Sequence, residues 1–181
     1  MNPAIRFFRF SLPCIGLAWV FSVGLLPLGW SADRMSDAEK RAKIEAMYRN
    51  YKKDFADVEE IEPAAAMQLL KEGRALFIDV RDEREQEISM LPGAVTEREF
   101  LKDPAKYAGR TLIGYCTISY RSGKLAAKLK KEGILLLNLR GGMLAWVHDG
   151  GKLYDRSGET RRIHVYGRKW NLGPKEYEAV F

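Results

Sequence analysis

Length, composition and charge limit what this chain can be. Its 181 residues allow one domain of ordinary size with extensions, and 46% hydrophobic with 30% charged residues is the balance of a globular protein. The net charge of +6 comes without the glycine and aromatic patterning of a nucleic-acid-binding module. We therefore interpret the charge as solvated surface and predict no nucleic-acid partner.

The N-terminal segment departs from this composition. Residues 10–32 carry no charge, and two arginines precede them. This order is typical of a secretory signal cleaved after Ser31, but residues 10–30 are also long enough to anchor the chain in the inner membrane. We predict that residues 1–31 are a signal peptide or an anchor. The protein is then exported, to the periplasm or another extracytoplasmic space, and contacts a membrane only if the segment is uncleaved.

Residues 32–57 are predicted to form an amphipathic helix that extends the domain. Ser36 and Glu39 fit a capping box at its start. Apolar residues then recur at helical spacing, at Ile44, Met47, Tyr48, Tyr51 and Phe55. We expect this stripe to pack on the domain; the alternative is a helix that binds a partner.

From residue 58 to residue 155 short apolar strands alternate with helices. Strands are predicted at 58–61, Ala75–Asp79, 94–95, Thr111–Tyr115 and 134–139. Helices are predicted at 63–73, 82–87, 97–101, 122–131 and 143–148. This alternation predicts an α/β fold with a mostly parallel central sheet, flanked by helices on both faces.

Residues 156–181 are predicted to be a basic and aromatic C-terminal tail. Residues 162–166 alternate like an edge strand, and residues 167–174 have the composition of a loop. Three aromatic residues indicate that the tail docks on the domain: Trp170, Tyr177 and Phe181.

The chain has two cysteines, which limits its redox and metal chemistry. Cys14 lies in the uncharged segment, so cleavage would leave Cys116 as the only thiol. A single thiol excludes an internal disulfide, a Cys-x-x-Cys redox pair and a cysteine-rich metal site. We predict no metal and no cofactor.

The segment around Cys116 carries the strongest functional signal. An apolar strand runs into the cysteine, a small polar loop follows, and Arg121 completes a Cys-x4-Arg spacing as a helix begins. Backbone N–H groups and the helix dipole favour an anion at such a junction, and hence the thiolate of Cys116. Ligands of parallel sheets also bind beyond the carboxyl ends of the strands. The alternative is a buried core cysteine beside a surface arginine.

Three motifs in this sequence resemble those of single-domain rhodanese-like sulfurtransferases. Residues 115–123 are similar to the family's active-site loop. The family's upstream signature is matched by residues 77–81, by Glu85 and Glu87, and by residues 91–95. Its downstream signature is matched by residues 139–146. Together they cover about residues 58–153. The sequence departs from the family pattern at residues 89–91, which read Ser-Met-Leu, and at Ser119, where glycine is common and tolerates positive φ more readily.

The resemblance implies a rhodanese-like fold and sulfur transfer without a cofactor. The catalytic Cys116 would take the outer sulfur of thiosulfate or a similar anionic donor and pass it to cyanide, a small thiol or a protein thiol. The loop that binds the anion would be Thr117, Ile118, Ser119, Tyr120, Arg121 and Ser122. Asp79 and Arg81 would be structural support, an ion pair that braces the end of a strand.

Two other classes use this fold. Phosphatases and arsenate reductases have a loop one residue longer, Cys-x5-Arg, which makes room for a tetrahedral oxyanion. Non-catalytic rhodanese-like modules, used for binding or sensing, commonly lose the cysteine that this chain keeps. Both remain alternatives to sulfur transfer. His148 and His164 are predicted to be structural rather than catalytic.

Overall fold

The computed structural model describes residues 35–181. The predicted signal peptide or anchor, residues 1–31, and Cys14 lie outside the described residues. Within residues 35–181, no helix is long and apolar enough to cross a membrane.

Five short strands form the central sheet. They are β1 (Glu60–Ile61), β2 (Ala75–Asp79), β3 (Val95–Thr96), β4 (Thr111–Tyr115) and β5 (Leu137–Leu139). Their order across the sheet is β1-β5-β4-β2-β3, and every pair is parallel. All of β2 is buried, as expected for a parallel strand covered on both faces. The predicted α/β fold is confirmed.

Helices cover both faces of this sheet. They are α1 (Asp37–Lys52), α2 (Pro63–Lys71), α3 (Glu83–Ile88), α4 (Glu97–Lys102), α5 (Tyr120–Lys131) and α6 (Gly142–His148). Alternate side chains of β2 enter two separate core clusters: Phe77 packs with residues of α6, and Leu76 and Ile78 pack with residues of α5. The period of two along a strand thus divides the core into two layers.

Several predicted boundaries differ from the structure by one or two residues; β1, for example, covers Glu60–Ile61 rather than residues 58–61. Two further differences lie at the ends of α5. The strand predicted over residues 134–139 covers only Leu137–Leu139, because the N–H groups of Gly133 and Ile134 bond to the last carbonyls of α5 and cap that helix. At its other end, α5 begins at Tyr120 rather than at residue 122. Tyr120 and Arg121, which were predicted to precede the helix, therefore belong to its first turn.

The helical extension packs on the domain. α1 begins with the predicted capping box, in which the Ser36 hydroxyl accepts from Glu39 N and the Glu39 carboxylate accepts from Ser36 N. Tyr48 of α1 is buried, and its hydroxyl donates to the Glu60 carboxylate of β1. A 3₁₀ turn, Lys53–Phe55, follows and places the Phe55 ring against α5.

The C-terminal residues are built into the fold and do not form a separate tail. β6 (Leu153–Asp155) and β7 (Gly158–Thr160) form an antiparallel hairpin, so the boundary predicted between residues 155 and 156 falls inside it. β8 (Arg162–His164) pairs in parallel with β9 (Glu178–Val180). Between them, a 3₁₀ turn, Arg168–Trp170, lies in the predicted loop.

The C-terminal segment is held against the domain by its buried side chains. Ile163 and Leu172 are fully buried in the core cluster, and Trp170 and Tyr177 pack against that cluster as predicted. Phe181 does not dock: it is 60% exposed. Burial of aliphatic residues on both sides of the 3₁₀ turn therefore holds the segment in place.

Candidate active site

Cys116 lies directly after β4, at the carboxyl end of the central strand, and is only 2% exposed. Its carbonyl accepts a hydrogen bond from Met143 N at 2.9 Å, which ties the loop to the first turn of α6. Gly142 permits this approach, since its φ is +60° and a Cβ there would lie 2.5 Å from the Cys116 carbonyl oxygen. The turn at Gly141 and Gly142, both at positive φ, thus positions the cysteine.

Ser119 gives the loop its shape. Its φ of 76° is the one positive value at a non-glycine residue among residues 35–181, at the position where the family often has glycine. The Ser119 hydroxyl donates to the Leu139 carbonyl, and its own carbonyl accepts from the Asn138 amide at 3.2 Å. Asn138 also accepts from the Ser122 hydroxyl at 2.7 Å. These contacts with β5 hold Ser119 in a conformation that costs a serine free energy.

Asn138 was not predicted as a site residue. It is fully buried on β5, and both of its polar groups bond to the Cys116 loop. A lone amide in an otherwise apolar strand was the available signal, because a buried polar side chain needs partners.

Glu85 of α3 holds the loop from the other side, and its role was also not predicted. Its buried carboxylate accepts two hydrogen bonds from the Arg121 guanidinium, at 2.6 and 2.8 Å. It also accepts from the Thr117 hydroxyl at 3.2 Å and from Asp82 N at 3.0 Å. The signal was local: Asp82 and Glu85 form the capping box that starts α3.

The Glu85–Arg121 pair is ionised. Burial alone would raise the pKa of Glu85, but the hydrogen bonds from Arg121 and Asp82 N outweigh it and hold the pKa below its usual value. Burial would lower the pKa of Arg121, but the hydrogen bonds to Glu85 and the charge of that carboxylate raise it. The ring of Tyr166 lies 5.1 Å from the Arg121 guanidinium carbon. That Arg121 holds the donor anion stays a prediction.

Asp79 and Arg81 form a fully buried, two-bond ion pair at the end of β2. Arg81 Nε donates to Asp79 at 2.9 Å and Nη2 at 2.7 Å. The Tyr115 hydroxyl donates to the same carboxylate at 2.6 Å. Burial and the Asp79 charge raise the pKa of Tyr115 well above its usual value, so Tyr115 stays a neutral donor. This arrangement fits the predicted structural support.

A cavity of about 320 Å³ opens above Cys116. The loop contributes part of its wall, and three aromatic side chains contribute the rest: Tyr51 of α1, and Tyr166 and Trp170 of the C-terminal segment. None of the three was predicted as a site residue. Their sequence signals, a helical stripe and a cluster of aromatics, indicated packing and carried no information about what they pack against.

The two histidines lie outside the cavity wall. His148 Nε2 lies 2.7 Å from the Leu172 carbonyl oxygen, and burial lowers the pKa of this histidine, so it donates as a neutral ring. His164 Nδ1 is buried 3.7 Å from the Glu85 carboxylate. The geometry of His148 is that of a structural residue; a structural role for His164 stays a prediction.

Comparisons with known proteins gave one family model and several similar solved structures. Residues 62–149 match the family model described as the rhodanese-like domain. No curated protein matches the sequence. Similar solved structures include a Bacillus halodurans protein, 25% identical, with a TM-score of 0.47, covering 62% of this chain and 87% of that one.

Two further structures have the same TM-score. A Rhodopseudomonas palustris protein of unknown function, titled a possible tyrosine phosphatase, is 26% identical (TM-score 0.47; 60% of this chain and 91% of that one). A thiosulfate sulfurtransferase from Pseudomonas aeruginosa is 19% identical, with a TM-score of 0.47. The match covers 74% of this chain and 26% of that one.

Residues 62–149 of this chain are a rhodanese-like domain, which confirms the family that the three motifs predicted. Tyr51, Tyr166 and Trp170, three walls of the cavity above Cys116, lie outside the matched residues.

Proposed function

We propose that this protein transfers sulfane sulfur through a persulfide on Cys116. The observation that supports this is the position of the thiol: at the inner end of a cavity, where β4 meets α5, in a rhodanese-like domain. Among residues 35–181, Cys116 is the only free cysteine.

The first step forms the persulfide. The Cys116 thiolate attacks the outer sulfur of a donor such as thiosulfate, the donor's S–S bond breaks, and sulfite leaves with the bonding electron pair. The product is a Cys116 persulfide anion. Because α5 begins at Tyr120, its first N–H groups lack partners within the helix and can stabilise that anion, together with the helix dipole.

The second step returns the thiolate. A thiolate acceptor attacks the terminal sulfur, the Cys116 S–S bond breaks, and the acceptor leaves as a new persulfide; cyanide would leave as thiocyanate. No general base is needed when the cysteine reacts as a thiolate. The pairs Glu85–Arg121 and Asn138–Ser119 would keep the loop in one shape through both steps.

The loop favours sulfur over a tetrahedral oxyanion. The spacing from Cys116 to Arg121 is one residue shorter than in the oxyanion enzymes of this fold.

Intact-mass measurement tests the proposal. Incubation with thiosulfate should add about 32 Da, one sulfur atom, and dithiothreitol should remove it. Cys116→Ser, a nearly isosteric change, should gain nothing, whereas the matched control Cys14→Ser should behave like wild type. An unmodified wild-type protein, or hydrolysis of aryl phosphates faster than sulfur transfer, would contradict the proposal.

A further inference from the structure

The walls of the cavity above Cys116 are aromatic. Tyr51 and Tyr120 stand side by side with ring centroids 5.1 Å apart, and Tyr166 and Trp170 contribute two further rings. Among its lining residues Arg121 is the charged one, and its guanidinium is bonded to Glu85 and covered by the Tyr166 ring. The positive charge of Arg121 is thus partly offset by Glu85, whereas a flat apolar group bound here would contact several rings.

The aromatic walls are anchored from outside the cavity. In α1, the buried Lys40 ammonium donates to the Gly173 carbonyl at 2.7 Å, which links the helix carrying Tyr51 to the segment carrying Trp170. The neighbouring Leu172 is fully buried, and its carbonyl lies 2.7 Å from His148 Nε2. The rings therefore stand on parts of the chain that are fixed before any substrate binds, as a preformed binding site requires.

We infer that the cavity binds the organic body of the sulfur substrate, a small organosulfur compound with an aromatic or apolar group attached to the reacting sulfur. The inference rests on the proposed function, which it makes more specific. The volume of about 320 Å³ is at the lower end of small-molecule sites and has room for a compound of about one ring. Because Cys116 is 2% exposed, the sulfur must point inwards and the body must lie among Tyr51, Tyr166 and Trp170.

Labelling of Cys116 with two matched reagents tests this inference without requiring sulfur transfer. Benzyl methanethiosulfonate and methyl methanethiosulfonate react alike: the cysteine thiolate attacks the sulfur that carries the benzyl or methyl group, a disulfide forms, and methanesulfinate leaves. The rate is read on the Cys116 peptide and divided by the rate of the same reagent with glutathione. We expect wild type to prefer the benzyl reagent roughly tenfold, because the ring gains aromatic contacts.

Substitutions in the walls should reduce that preference. Trp170→Ala should lower the ratio by roughly 3- to 10-fold, while Trp170→Phe should keep most of it. Tyr51→Leu is a second variant, on a different element, in case Trp170→Ala does not fold. Tyr154→Ala removes an aromatic residue that does not line this cavity and should leave the ratio unchanged.

The outcomes separate the inference from the proposed function. A wild-type ratio near one, or a ratio that folded Trp170→Ala and Tyr51→Leu variants leave unchanged, would overturn the inference even if thiosulfate forms the persulfide. A benzyl preference that depends on Trp170 would support it. If that preference occurs but no donor forms a persulfide, the proposed function fails and the cavity remains a site for aromatic organosulfur compounds.

Discussion

Replacing Glu85 with glutamine would remove the charge that pairs with Arg121 while keeping the size of the side chain. In the folded protein this carboxylate accepts hydrogen bonds from Arg121, Thr117 and Asp82 N, and residue 85 is only 2% exposed. An amide can replace some of these hydrogen bonds but not the charge. The variant would therefore leave the Arg121 guanidinium with only the exposed Asp82 carboxylate, 3.8 Å away, as a counter-ion.

The expected cost follows from the burial of the two partners. Breaking a fully buried ion pair by removing one partner costs about 3–5 kcal/mol. The Arg121 side chain is 26% exposed, so water can solvate part of the unpaired charge. We expect Glu85→Gln to lower the free energy of unfolding by about 2–3 kcal/mol at neutral pH.

The loss should depend on pH because the pKa of Glu85 is depressed in the folded state. Stability from such a group is fully present above its unfolded pKa, about 4.3, and is lost as pH falls through the lower folded value. Urea unfolding at about pH 7 and about pH 3 should thus show a gap between wild type and Glu85→Gln that narrows in acid.

Glu87→Gln is the matched control, since Glu87 is on the same helix but is exposed. Its ion pair with Arg156 is long, at 3.8 Å, and lies in solvent. It should change the free energy of unfolding by less than about 0.5 kcal/mol. A Glu85→Gln variant that unfolds like this control at neutral pH, or a gap that is the same at both pH values, would refute the reasoning.

Three further predictions concern the packing of the loop, the packing of the extension and export. Gly142→Ala should destabilise the protein by roughly 2–4 kcal/mol in urea unfolding, because its Cβ would meet the Cys116 carbonyl at positive φ; Gly133→Ala, also at positive φ but with nothing within 4 Å, should cost only about 1 kcal/mol. Gly123→Ala, whose Cβ would lie 2.5 Å from the Phe55 ring, should lower the free energy of unfolding by about 1–3 kcal/mol. Adding Phe55→Leu should recover part of that loss, and a double variant whose loss is the sum of the two single losses would contradict this packing. Protein made with its own N-terminus should be found outside the cytoplasm, starting near Ala32 or still anchored, and N-terminal sequencing of a cytoplasmic product that begins at Met1 would refute export.

Local sequence patterns were sufficient for features whose cause lies within one stretch of chain. The strands Ala75–Asp79 and Thr111–Tyr115 have the predicted bounds, since a continuous apolar run is typical of a buried parallel strand. The Ser36 capping box and the junction at Cys116 are likewise local, because a helix start and a strand end depend on adjacent residues.

Tertiary structure decided which distant residues meet at the loop. Glu85 and Arg121 are 36 positions apart, and Asn138 and Ser119 are 19 apart. These pairs depend on the order β1-β5-β4-β2-β3, which brings the start of α3 and the end of β5 to opposite sides of the loop after β4. Periodicity identifies a buried strand but contains no information about its neighbours.

The sequence by itself determined the fold class, the family and the position of Cys116 at the end of a buried strand. The surroundings of Cys116 were decided by tertiary structure alone. Tyr51, Tyr166 and Trp170 reach the cavity from outside the rhodanese-like domain. An apolar stripe shows that a face will be buried, because removing it from water is favourable wherever it goes. Since that driving force has no direction, only the packed chain shows that these rings line the cavity above Cys116.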